Sequence, residues 1–138
     1  MDQYCTFELG RLQLGLPART VQEVLRAQPV TKVPLTPPWV SGLMNMRGQI
    51  VLVIDLRCRF GLPRAPDGVR PVNVLVRSKA GLISLLVDKV GDVLNVDPEA
   101  FEPVPETLAA ESRNLLRGAL QLSNRLLLEL DAERAADI

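Results

Sequence analysis

The chain has 138 residues, 47% of them hydrophobic, which suits one domain with a core of its own. Its 16 basic and 16 acidic residues cancel and are interspersed, which argues against nonspecific binding to nucleic acid or to anionic lipid. There is no histidine, and Cys5 and Cys58 stand far apart, so neither metal-ligand spacing nor histidine-based catalysis is present and both thiols are expected to be buried and reduced.

Read from the start, Tyr4 to Leu9 alternates Tyr4, Thr6 and Glu8 against Cys5, Phe7 and Leu9, and LQLGL follows Gly10-Arg11, which predicts an opening hairpin ended by Leu16-Pro17. Ala18 to Arg26 places Val21, Val24 and Leu25 at helical spacing, yet nine residues equally allow a turn followed by a strand. The segment VPLTPPWVSGL carries Pro34, Pro37 and Pro38 and reads as a crossover, with Pro38 suited to the first position of a one-turn helix capped near Thr36. Arg47-Gly48 is a turn that delivers Ile50 to Ile54, an apolar run without alternation whose two faces should both be buried. Asp55 stands where an N-cap would, followed by Leu56 and Phe60 at i and i+4 and by Gly61. Segment 64–71 combines Pro-Asp-Gly turn chemistry with charge and reads as a loop tip or as an approximate divide between two β-rich halves, with terminal strands free to cross between them. The second half continues with VNVLVR, GLISLLVD and GDVLNVD, then a hairpin turning at Ser123-Asn124, and closes in a polar segment that is a frayed helix or a disordered tail. The longest apolar runs, Ile50 to Ile54 and Leu82 to Val87, are too short to cross a bilayer, and a soluble cytoplasmic protein is expected. The pattern predicts an all-β fold with a few short helices.

Few residues could carry chemistry. Asp55 reads as a helix cap, and Asp88 and Asp92 lack the ligand ladder of a calcium loop, so turn and strand-edge roles suit them better. A small β-barrel hydrolase using Asp55, Asp88 or Asp92 is a remote alternative. No phosphate-binding glycine motif or nucleophile elbow occurs, no cofactor is expected, and five aromatic residues give no platform for stacking bases. Trp39 suits a filler between lobes better than a surface anchor.

Three stretches, VQEVL, VPLTPPWVSGLMNMRGQIVLVIDLRCRFGL and LLVDKVGDVLNVDPEAFEPVP, resemble the CheW family of chemotaxis coupling proteins. The resemblance runs from Tyr4 to Asp131 in unbroken order. It implies two SH3-like five-stranded β-barrels packed together within a single CheW-like domain, residues 1–138. It implies a stand-alone, non-catalytic scaffold linking the cytoplasmic tip of a chemoreceptor to the regulatory domain of the histidine kinase CheA, with the same adaptor in a non-flagellar chemosensory pathway as the alternative. In the family the receptor tip docks in a groove between the barrels, and the matching positions are Val21, Glu23, Gly42, Arg47 and Val93. Kinase-binding residues lie at the barrel ends on a motif too loose to transfer. The chain departs from the family at Leu52, often proline, at Ser84, often glycine, and at Ser41, often basic, and the two serines bear on receptor preference. Arg47 has a second reading, an internal ion pair bracing its turn.

Overall fold

A computed structural model describes residues 1–137. The chain runs β1 (Asp2–Leu9), β2 (Leu12–Pro17), a 3-10 turn (Ala18–Thr20), β3 (Val21–Arg26), β4 (Val40–Met46), β5 (Gln49–Asp55), α1 (Leu56–Arg59), β6 (Val72–Ser78) and β7 (Gly81–Val87). It continues through β8 (Lys89–Val96), β9 (Phe101–Glu102), α2 (Ala110–Arg113), β10 (Leu116–Gln121), β11 (Leu126–Leu130) and α3 (Ala132–Ala135). Ala18–Arg26 thus takes the turn-then-strand form. No helix forms at Pro38, which lies in an irregular turn, while Val40 to Leu43 joins β4.

The strands make two sheets, one ordered β8-β1-β2-β11-β10-β9 and one ordered β3-β6-β7-β5-β4. The first has six strands rather than the expected five because two-residue β9 adds to β10 through Phe101 and Glu102. Each sheet curls around a small core of its own. Tyr4, Val96, Leu120 and Leu127 meet inside the first although β8 and β10 are far apart in its order. Met44, Val51, Val53 and Leu75 do the same in the second, with Leu25 from one edge strand and Met46 from the other. The outer faces then pack on each other, with Phe7, Leu14, Leu128 and Leu130 of one sheet against Ile54, Val74, Ile83 and Leu85 of the other.

Strand β5 shows how period two serves both cores. Val51 and Val53 face the inner core and Ile54 the shared one, with Leu52 packed beside it. Ile50 departs from the expected burial on both faces, at 59% exposed, because it lies just past the turn, opposite Asn45, and Leu52 is only partly buried.

The change from sheet to sheet does not fall at 64–71. That segment joins α1 to β6, and β5 and β6 belong to the same sheet, so the crossings lie between β2 and β3 and between β7 and β8. Turn chemistry marks where a chain reverses and carries no information about which sheet receives it. The closing segment is helical and docked. Asp131 caps α3 by accepting from the Arg134 amide at 3.1 Å, and Ala135 is fully buried in the shared core.

Candidate functional site

Arg47 and Gly48 both have positive φ, 52° and 85°, as a two-residue turn of the type that matches strand twist requires. Asn45 steadies the turn by accepting the Gly48 amide at 2.8 Å through Oδ1. From this tip the Arg47 guanidinium reaches β3 and donates to Glu23 twice, Nη1 to Oε1 at 3.0 Å and Nη2 to Oε2 at 2.9 Å. Strands β3 and β4 are the two edges of their sheet, so this forked pair spans the seam where the sheet curls on itself. Glu23's hydrogen bonds, then its charge, raise Arg47 above its already high ordinary pKa. The arginine side chain is still 72% exposed. The internal ion pair read from sequence is therefore present, and it involves another of the candidate residues.

Gly42 lies on β4 with φ +146°, and a side chain there would put its Cβ 2.3 Å from the carbonyl oxygen of Thr31. Thr31 and Leu43 exchange backbone hydrogen bonds of 2.8 Å in each direction, so the bare glycine lets the segment before Pro34 lie directly on the strand. Val21 heads β3, opposite Val76 of β6, and packs against the shared core. Val93 belongs to the other sheet, on edge strand β8 opposite Cys5, and is 57% exposed. The structure joins Glu23 to Arg47 directly, places Val21 and Gly42 on the two strands that this pair bridges, and sets Val93 apart from them.

Two of the three aspartates have their carboxylates occupied by architecture. Asp55 Oδ1 accepts the Cys58 amide at 3.2 Å and caps α1, and Gly61 beyond the helix has φ +71°. Asp88 accepts from Arg57 Nε at 2.7 Å and Nη2 at 2.6 Å, and from the Gly10 amide at 2.8 Å. Those hydrogen bonds from Arg57 hold its carboxyl below the ordinary carboxylate range, against a partial burial that pushes the other way. Asp92 is exposed, and its backbone carbonyl accepts from Thr6 Oγ1 at 2.6 Å. Among the described residues, no three cysteines or carboxylates converge as a metal site would need. Trp39 is half-buried against the shared core with the Arg59 guanidinium 4.2 Å from its ring centre, a filler and not a free anchor.

The three departures fall in different places. Leu52 packs toward the shared core, Ser41 is the extra residue of a β-bulge between Val40 and Gly42, and Ser84 is fully buried. Ser84 Oγ donates to Asn73 Oδ1 at 2.7 Å, while Asn73 Nδ2 donates to the carbonyl of Arg26 at 3.1 Å. Ser84 therefore presents no exposed surface of its own, because its side chain turns into the second sheet's interior. Two residues that matter went unread in the sequence, Arg57 and Asn73; a buried-strand asparagine amid valines was the available signal for the second.

A profile of the CheW-like domain matches residues 3–137. The chain is 32% identical over 128 residues to a protein described as a probable chemotaxis protein CheW of Rhizobium etli, covering 91% of this chain and 83% of that one. It is 30% identical over 133 residues to the chemotaxis protein CheW of Klebsiella aerogenes, covering 96% of this chain and 80% of that one. Among solved structures, it is similar to the crystal structure of the scaffolding protein TtCheW from Thermoanaerobacter tengcongensis, with TM-score 0.89 and 26% identity over 99% of this chain and 93% of that one. With two curled sheets, a seam clasped by Arg47 and Glu23, and a profile match over nearly its whole length, this chain belongs to the CheW-like domain family.

Proposed function

We propose that this chain is a non-catalytic adaptor of chemotaxis signalling, coupling the cytoplasmic tips of chemoreceptors to the regulatory domain of the histidine kinase CheA. The observation that carries this reading is the likeness of its whole fold to a protein described as a scaffold, at TM-score 0.89. The surface chemistry agrees with recognition and not with turnover. Asp55 and Asp88 are committed to a cap and a brace, while the candidate site offers a guanidinium, two valines and a close backbone approach. In this reading Glu23 aims the Arg47 guanidinium and leaves three of its five N–H donors for a receptor carboxylate. Val21 and Val93 supply apolar contact from the two sheets, so the receptor helix lies across their junction. The kinase docks elsewhere, and the adaptor works in the cytoplasm, held at receptor arrays by its partners.

The test is paired titration of wild type and Arg47→Glu against a receptor-tip fragment and against the isolated regulatory domain of CheA. Charge reversal should weaken receptor binding roughly tenfold or more while kinase binding and the circular dichroism spectrum persist. Equal losses for both partners, or loss of fold, would reduce Arg47 to a brace for its own seam.

A further inference from the structure

The last helix lies across the joint between the two sheets. By chain, α3 continues β11 of the first sheet, and the Asp131 amide anchors its base there by donating to the Leu115 carbonyl at 2.8 Å. Its outer ties run to the second sheet. Arg59, on α1 beyond β5, donates from Nη2 to the Arg134 carbonyl at 3.0 Å and from Nε to the Ala135 carbonyl at 3.2 Å. The same guanidinium rests on the Trp39 ring, so it is held between an aromatic face and the carbonyl end of the helix. Glu133 accepts the Lys79 amide, in the turn between β6 and β7, at 3.0 and 3.2 Å. The apolar anchor is slight. Helix α3 is one turn long, too short to persist by itself, and it meets the shared core through Ala132, Ala135 and Ala136, of which only Ala135 is fully buried. Strand β11, just before it, buries Leu127, Leu128 and Leu130. Hydrophobic stabilisation scales with apolar area, so three methyl groups seat the helix far less firmly than three leucines seat the strand, and the polar ties to Arg59 and Lys79 hold it down.

We propose that α3 is a strap that opens and closes over the joint as a unit of its own, hinged at Asp131, with Arg59 as its latch. Opening breaks no strand pairing, since no described residue beyond Leu130 belongs to a sheet. The Trp39 ring keeps the Arg59 guanidinium in place while the strap is open, ready to receive the two carbonyls again. Asp131, Ala132 and Glu133 also line a cleft of about 420 Å3 between the sheets, beside Pro17 and Val76, so lifting α3 removes one wall of that cleft.

Amide hydrogen exchange on the whole chain, in water and in dilute urea, tests this. The Ala135 and Ala136 amides donate to the Asp131 and Ala132 carbonyls at 3.0 and 3.1 Å. They should exchange about a hundredfold faster than the slowest amides of β11, at a rate that dilute urea hardly changes, as a local opening does. Arg59→Ala should speed them about tenfold further, still without urea dependence, because it removes two charge-assisted bonds from the closed state alone. The Gly48 amide, bonded to Asn45 in the β4–β5 turn, should exchange as in wild type. Arg59→Lys keeps a charge and a donor but loses the fork, so its rates should fall between the two. Wild-type α3 amides that exchange only together with β11, with the same urea dependence, overturn the strap. Rates in α3 that are unchanged in both variants overturn the latch and the proposal with it. If Arg59→Ala fails to fold, the wild-type urea dependence and Arg59→Lys decide the matter by the same criteria.

Discussion

Removing either partner of the Arg57–Asp88 pair should loosen the joint between the two sheets. Asp88 sits where the chain leaves β7 for β8, Arg57 belongs to α1 at the end of β5, and Gly10 turns the first hairpin, so the carboxylate gathers three separate elements. Both side chains are only 15% exposed. A hydrogen bond to a charged group contributes about 1.5–3 kcal/mol net, and the loss of one partner of a buried pair costs about 3–5 kcal/mol. Arg57 keeps its bond to the Pro63 carbonyl and water reaches both groups, so Asp88→Ala should cost about 3 kcal/mol. Arg57→Ala leaves Asp88 with the Gly10 amide and should cost about 2 kcal/mol, and the double variant about as much as Asp88→Ala alone, a coupling of about 2 kcal/mol. Urea denaturation of the four proteins measures this. Asp88 titrates lower in the folded chain than its ordinary 3.8, so the stabilisation is complete above that pH and fades as pH falls through the lowered folded value. The gap between wild type and Asp88→Ala should therefore narrow in acid. Single variants within about 0.5 kcal/mol of wild type, or strictly additive losses, would refute the idea of a joint.

Three further outcomes follow from burial and backbone geometry. Val53→Asp should abolish cooperative unfolding, since an unpaired charge in the second sheet's inner core costs several kcal/mol against a total of about 5–15; a normal melting transition would show that β5 is misassigned. Gly42→Ala should lower stability by about 3 kcal/mol, because the new Cβ meets the Thr31 carbonyl and the left-handed φ disfavours any side chain; an unchanged denaturation midpoint would mean that the segment before Pro34 is not seated there. Ser84→Ala should cost about 1–2 kcal/mol by leaving Asn73 Oδ1 without its donor, while receptor-fragment affinity stays at the wild-type value; an affinity change without a stability change would return Ser84 to the docking surface.

Much of the fold was legible in the sequence because it is local. Alternation in Tyr4 to Leu9 sets β1, the Arg47-Gly48 turn sets the β4–β5 hairpin, and Asp55 three residues before an accessible amide sets the cap of α1. Each depends on residues within a few positions of one another. The candidate positions Val21, Glu23, Gly42, Arg47 and Val93 came from the family resemblance, since nothing in their spacing brings them together. Tertiary structure alone decided that Glu23 and Arg47, 24 positions apart, close the seam between two edge strands. It also decided that Ser84 turns inward to Asn73, that Ile50 emerges into solvent, and that the chain crosses between sheets after β2 and β7 and not at 64–71. Those outcomes depend on which strands become edges and how far each sheet curls, and a period of two records only that a side chain changes face, not what that face will meet.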